Sequence, residues 1–245
     1  LERRAKKYKK SWREDRRQLI ADVLPDWQSR LVKTLTRRDV HALCDRIIDR
    51  GAPVAANRVL ALVSAIFSYG MDKDWLDHNP AARLKKQPEQ SRERVLTDHE
   101  LIELWAVLES MKAVTAGATP CIPAMVARGL QFQLRTGQRG GEVFTMAWAD
   151  VDLATGWWTI PATKAKNGTT HRVPLTPAAL ALLAEAKAHG PADHGWVFAG
   201  RAGGSYHARA TKAIALLRSA GLLTGDYWRH DFRRTIATGM TTASL

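Results

Sequence analysis

Thr136-Gly137-Gln138-Arg139-Gly140-Gly141-Glu142 is the stretch on which the reading of this chain turns. It follows a broadly apolar segment, Ala124 to Arg135, whose pattern predicts a helix, and Gly137 stands where a helix C-cap takes a left-handed residue. Downstream come Lys164-Ala165-Lys166-Asn167-Gly168 and then His230-Asp231-Phe232-Arg233-Arg234. Arginine offers a fixed fork of donors that suits phosphate oxygens, while lysine and histidine can move protons. Each piece alone has a bland reading. Arg139 would be a surface arginine paired with Glu142, Lys166 a solvated lysine at a turn, and His230 a helical histidine beside an exposed arginine. Together, on three separate segments of a basic chain, they predict a site that holds a phosphate.

Around these pieces the pattern predicts a mainly α fold with a small antiparallel sheet. Strand character begins at residue 157, where Trp157-Trp158-Thr159-Ile160 and His171-Arg172-Val173-Pro174-Leu175 flank Asn167-Gly168, a hairpin-turn dipeptide. On that reading Lys164 and Lys166 share one strand face. Thr176-Pro177 opens a helix to about His189, and Trp196-Val197-Phe198 is a candidate further strand. A helix from about Ala208 ends at Gly221, and a last helix carries His230 and Arg233 on one face, with Arg234 turned away. The tail from Thr241 lacks the apolar spacing of a continuing helix.

Toward the N-terminus no strand signal precedes residue 85. A helix on Trp12, Leu19, Ile20, Val23 and Leu24 is expected to stop at Pro25. Thr36 and Asp39 predict a capping box for a second helix, with Leu35 and Val40 as its staple. A third helix is predicted from about Val54 to Tyr69, with a turn at Asn79-Pro80. Residues 1–84 therefore read as an all-helical domain and 85–95 as a polar linker. Residues 96–245 form a second domain, opened by a Thr97/Glu100 capping box with Leu96 and Leu101 as staple. Its first helix is expected to break between Gly117 and Pro123.

The bulk numbers narrow the classes. The 245 residues are 45% hydrophobic and 25% charged, as in a soluble globular protein. Lys and Arg number 37 against 24 Asp and Glu, a formal charge of +13, which predicts a polyanionic partner, with nucleic acid first and an anionic membrane surface second. No apolar run is read as membrane-spanning and no signal-peptide pattern opens the chain. The two cysteines, Cys44 and Cys121, sit in apolar helical patterns and are expected to be reduced core residues. No clustered ligand set predicts a metal site.

The motif set resembles the tyrosine recombinases of the phage integrase family, in particular prophage and genomic-island integrases. The resemblance rests on Leu134-Arg135-Thr136-Gly137-Gln138-Arg139-Gly140-Gly141-Glu142, Trp158-Thr159-Ile160-Pro161, Lys166-Asn167-Gly168, His171-Arg172-Val173-Pro174-Leu175 and His230-Asp231-Phe232-Arg233-Arg234-Thr235. Ala56-Asn57-Arg58 and Asn79-Pro80-Ala81 add to it. It implies a SAM-like helical core-binding domain followed by an α+β catalytic domain. It implies cleavage and rejoining of DNA through a 3′-phosphotyrosyl intermediate, to integrate or excise a mobile element, with no cofactor.

By position, Arg139 and Arg233 would hold the scissile phosphate, Lys166 would protonate the leaving 5′-oxygen, and His230 would assist proton transfer at the nucleophile. Glu142 would orient Arg139. Arg58, Lys85, Lys86 and Lys164 would contact DNA. The implied partners are double-stranded attachment-site DNA, around which the two domains would close, and further copies of the chain, as a tetramer during recombination. The implied location is the cytoplasm, at the nucleoid. None of Tyr8, Tyr69, Tyr206 and Tyr227 occupies the family's nucleophile position, so that tyrosine is expected in a segment beyond Leu245. The rival readings are a DNA-binding relic or regulator of the same family and, more distantly, a basic RNA-binding protein.

Overall fold

The computed structural model describes residues 5–9, 11–113, 122–190, 195–200 and 204–243. The chain divides into two compact units, Leu1–Ser91 and Arg92–Leu245.

Among the described residues, the regular structure of the first unit is all helical. Helices α1 (Ala5–Tyr8) and α2 (Trp12–Gln18) lead into a π turn, Leu19–Val23, and then α3 (Leu24–Trp27). Pro25 therefore does not stop this helix. The π turn widens the ladder, with the Leu24 N–H reaching back to the Leu19 carbonyl. The proline ring then fits at the start of the next turn, where its missing N–H leaves no bond broken. Helix α4 (Arg37–Asp49) starts on the expected capping box: Thr36 N–H donates to Asp39 Oδ2 at 2.7 Å, and Asp39 N–H donates to Thr36 Oγ1 at 3.4 Å.

Helix α5 (Pro53–Met71) packs Val59, Leu60, Val63 and Phe67 against Val40, Leu43 and Ile47 of α4. By length and composition alone α5 could cross a membrane, which corrects the sequence reading that no run reaches that length. Here it is the core helix of the unit, with one face buried by α4. The Asn79 side chain, by accepting the Ala81 N–H, closes the predicted turn. Cys44 is free, as expected, and half-buried, packed against this core rather than enclosed in it; burial pushes its thiol up. Cys121 and most of the expected break from Gly117 to Pro123 lie outside the described residues.

Segment 85–95 is shared between the units. Asn57 donates from Nδ2 to the Gln87 carbonyl and to Glu89 Oε1, both at 2.8 Å, which ties the first part to α5. Arg94 donates from Nε to the Asp226 carbonyl at 3.1 Å and so belongs to the second unit.

The second unit is built around one buried helix. After α6 (Asp98–Ala113), which opens on the Thr97/Glu100 box, α7 (Ala124–Thr136) buries every residue from Met125 to Leu134. A mostly apolar helix that also buries Arg128, Gln131 and Gln133 is stable only when enclosed and its polar groups are engaged. Its shell comprises α6, the short α8 (Gly140–Phe144), the sheet, α9 (Pro177–His189), α10 (His207–Ser219) and α11 (Arg229–Ala243). Of its polar members, Arg128 pairs with Glu185 at 3.3 Å and Gln131 Nε2 donates to Glu109 at 2.9 Å, while the Oε1 atoms of Gln131 and Gln133 are buried without a partner. Helix α11 runs to Ala243, past the point where the apolar spacing fades.

The sheet is antiparallel in the order β1 (Val151–Asp152), β2 (Trp157–Ile160) and β3 (His171–Pro174). Strand β1 corrects the reading that strand character starts at residue 157. Two residues are too few for any alternation to be read. Trp196 forms only an isolated bridge with Ala147, so 196–198 is not a further strand. The β2–β3 connection is not a two-residue hairpin either. Ile160 pairs with His171, and residues 161–170 form the loop between them. Its base folds inward on a tight turn, with the Lys164 and Ala165 N–H groups both donating to the Pro161 carbonyl at 2.9 Å. Ala165 is buried in the core, and Asn167-Gly168 still turns within this longer loop, with Gly168 at φ +71° and its N–H donating to the Ala165 carbonyl at 3.3 Å.

Candidate active site

Arg139 sits at the N-cap of α8, immediately after the turn that ends α7. Gly137 makes this turn possible. Its φ of +62° is left-handed, and a Cβ there would meet Ile236 Cγ2 of α11 at 3.0 Å. The turn is fixed from inside by Glu142, which is 3% exposed. Glu142 accepts from the Arg139 N–H and from Arg139 Nη1, both at 3.2 Å. Cap and ion pair together hold the guanidinium, about a third of which stays open to solvent, at the mouth of the turn.

Arg233 reaches the same turn from α11. Its Nη1 donates to the Gly137 carbonyl at 2.9 Å and lies 3.4 Å from Gln138 Oε1. The two arginines, far apart in sequence, thus converge on the three residues 137–139. The start of α11 is itself anchored by Asp231, which is 2% exposed. Its Oδ2 accepts the Trp228 N–H at 2.8 Å and pairs with Arg92 Nε at 3.3 Å. Thr235 Oγ1 accepts the Leu96 N–H at 2.9 Å, which pins α11 to the entry of α6. Arg234 is turned to the Asp231 side, with Nη1 3.9 Å from Oδ1.

His230 is exposed on the first turn of α11, three residues before Arg233. It makes no hydrogen bond with either arginine. Lys166 is exposed on the 161–170 loop and has no hydrogen-bond or ion-pair partner among the described residues. The structure therefore brings Arg139, Arg233 and Glu142 together and leaves Lys166 and His230 presented to solvent. Lys164 is not a strand-face neighbour of Lys166. It lies in the turned loop base, where it pairs with Asp150 and stands 5.2 Å over the Trp196 ring. In the first unit Lys85 and Lys86 are exposed, and Arg58 pairs with Glu89 at 2.9 Å.

Three contributors escaped the sequence reading. Asp231 carries a legible signal, an acid three residues after the N-cap Trp228. Asp150 carries none, because its partner is set by the loop's tertiary path. Arg229 carries none either: it sits next to His230 yet turns inward over the ring of Phe144, at 5.6 Å. Tyr227 is fully buried, and burial together with nearby carboxylates pushes its phenol up. It cannot supply a nucleophile in this fold. Among the described residues no group of three or more His, Cys, Asp or Glu could hold a metal ion.

An open arginine pair backed by a buried carboxylate can bind a tetrahedral phosphate. Residues 1–87 match the phage integrase central domain and residues 94–245 match the phage integrase family. The chain is similar to Prophage integrase IntA of Escherichia coli (strain K12), 24% identical over 194 residues, covering 78% of this chain and 44% of that protein. It is also similar to a putative integrase/recombinase of Haemophilus influenzae, 23% identical over 159 residues, covering 64% of this chain and 50% of that one. The chain spans about half the length of the curated relatives it matches. Among solved structures, a lambda integrase dimer bound to a COC′ core site superimposes with a TM-score of 0.73 at 17% identity, covering 94% of this chain and 82% of that one. The Tn1549 transposon integrase in complex with circular intermediate DNA gives 0.72 at 14% identity, covering 100% and 85%. These two likenesses establish the fold.

Proposed function

Because the chain belongs to the phage integrase family, we propose that it forms the helical and catalytic portions of a site-specific tyrosine recombinase. Its substrate is double-stranded DNA, which it cuts and rejoins to integrate or excise a mobile element. The observation that carries this reading is the convergence of Arg233 on the Gly137 carbonyl, two residues from Arg139. That arrangement suits one phosphate group gripped from two sides.

In the proposed reaction a tyrosine phenolate attacks the scissile phosphorus and the bond to the 5′-oxygen breaks. Arg139 and Arg233 stabilise the added negative charge of the transition state. Lys166 gives its proton to the departing 5′-oxygen, and His230 takes or returns the proton at the nucleophile. One phosphoester replaces another, so rejoining is the reverse attack and needs no ATP or metal. The nucleophile is assigned to none of the four tyrosines of this chain. Arg58, Lys85, Lys86 and Lys164 are proposed as backbone contacts, although Arg58 and Lys164 would have to exchange their present carboxylate partners for phosphate. Recombination on paired sites further implies a homo-oligomer, a tetramer at the height of the reaction, acting in the cytoplasm at the nucleoid.

Two measurements test this reading. With roughly six to ten phosphate contacts, duplex affinity should fall with salt at a log–log slope of about −5 to −9, and a slope near zero sinks the proposal. Incubation with a suicide duplex should give no covalent adduct on a denaturing gel. A shifted band from this chain alone would show that one of its four tyrosines is the nucleophile.

A further inference from the structure

Arg229 opens α11, one residue before His230, and its side chain is wedged between elements. A Cβ added at Gly140 would lie 2.5 Å from both Cζ and Nε of Arg229, so the guanidinium fills the space where any other residue's side chain would begin. Its Nη2 donates to Thr211 Oγ1 of α10 at 3.3 Å, and its plane stands over Phe144 of α8. Its carbonyl accepts from Gln133 Nε2 of α7 at 3.3 Å. Four helices thus meet on one residue. Its Nη1 is buried without a partner, and among the described residues no carboxylate pairs with it. Nearby His207 supplies no negative charge, and partial burial together with the Arg229 charge pushes its imidazole down. A buried, unpaired guanidinium is costly, and an apolar side chain of similar size would fill the space without that cost.

We propose that Arg229 is a positioning residue for the arginine pair, with Gly140 as its seat. Its planar fork locks the first residue of α8, adjacent to Arg139, against the first turn of α11, four residues before Arg233. The spacing of the two phosphate-gripping arginines is thereby fixed before substrate arrives. This inference rests on the recombinase reading and extends it to a residue that touches no substrate.

The experiment has two arms. The first is a thermal-stability cycle of Gly140→Ala and Arg229→Ala, which needs no DNA. Gly140→Ala should lower the melting midpoint in the wild-type background and cost nothing once Arg229→Ala has vacated the seat; additive effects overturn the proposal. The second measures affinity for a labelled random-sequence duplex at fixed ionic strength. Arg229→Met, which keeps the bulk, should weaken binding about tenfold when Arg139 is present and by less than about twofold in an Arg139→Ala background. Arg229→Lys should behave like the methionine variant, because it keeps the charge and loses the fork. Equal losses in both Arg139 backgrounds, or full rescue by lysine, overturn the positioning role. A wild-type chain with no affinity for duplex DNA breaks the recombinase reading and this proposal with it. An additive stability cycle breaks this proposal alone.

Discussion

The arginine pair and the lysine loop belong to the same unit and are held in opposite ways. Arg139 and Arg233 are tied to a turn between two helices, with Glu142 and Asp231 buried behind them as anchors. Lys166 has an anchored base beneath it, through Ala165 and the Lys164–Asp150 pair, but its own side chain is exposed and unpartnered. In the proposed reaction this difference would divide the labour of phosphoryl transfer. Charge that must stabilise a transition state is useful only if it is in place beforehand, since reorganisation at the moment of reaction would be subtracted from the gain. A proton donor has to meet its oxygen only once the substrate is seated, and an exposed loop tip can do that.

The largest test of this contrast is catalytic. In a recombinase that carries this chain together with a nucleophilic tyrosine, Arg139→Ala and Lys166→Ala should each slow cleavage by about 10²–10³-fold. A substrate with sulfur in place of the bridging 5′-oxygen has a leaving group that needs no proton. It should rescue Lys166→Ala and leave Arg139→Ala slow. Rescue of Lys164→Ala, with Lys166→Ala behaving as wild type, would move the proton donor to the loop base.

A smaller effect separates the two regions by stability. Glu142→Ala removes a buried cap and the partner of Arg139, and it should destabilise the second unit by about 2 kcal/mol in denaturant unfolding. A loss near zero would mean that Arg139 is not held in advance. Asp231→Ala removes the cap on the Trp228 N–H and the partner of Arg92, for an expected loss of about 1 kcal/mol by the same measurement. Lys166→Ala should be the mildest, with a melting midpoint within about 2 °C of wild type. A larger drop would show that the loop tip is packed rather than free.

Much of the scaffold could be read without coordinates because its signals are local. The Thr36/Asp39 and Thr97/Glu100 boxes, the left-handed Gly137 and the Thr176 cap each depend on residues within one turn. The apolar stripe of α4 follows from side-chain periodicity, and α7 is legible as a broadly apolar helix, though not that its Arg128, Gln131 and Gln133 are buried too. Pro25 misled because a π turn, set by the packing of Leu19 and Val23 into the core, relieved the clash that proline normally causes. Asn167-Gly168 turns as its residues suggest, but within a ten-residue loop whose length is set by where Ile160 and His171 pair and where Ala165 is buried.

What the amino-acid order determined by itself is therefore the set of chemical groups, the helices that carry them and the basic charge that calls for a polyanion. What only the tertiary structure decided is which groups meet. Residues 137–139 and 233 converge because α11 packs against the end of α7, a contact between segments nearly a hundred residues apart that no local pattern encodes. The same holds for Arg229 in its seat at Gly140 and for Lys164 on Asp150. Partner choice between distant segments depends on the summed packing of the whole unit, whereas caps and periodicity are settled within a few residues.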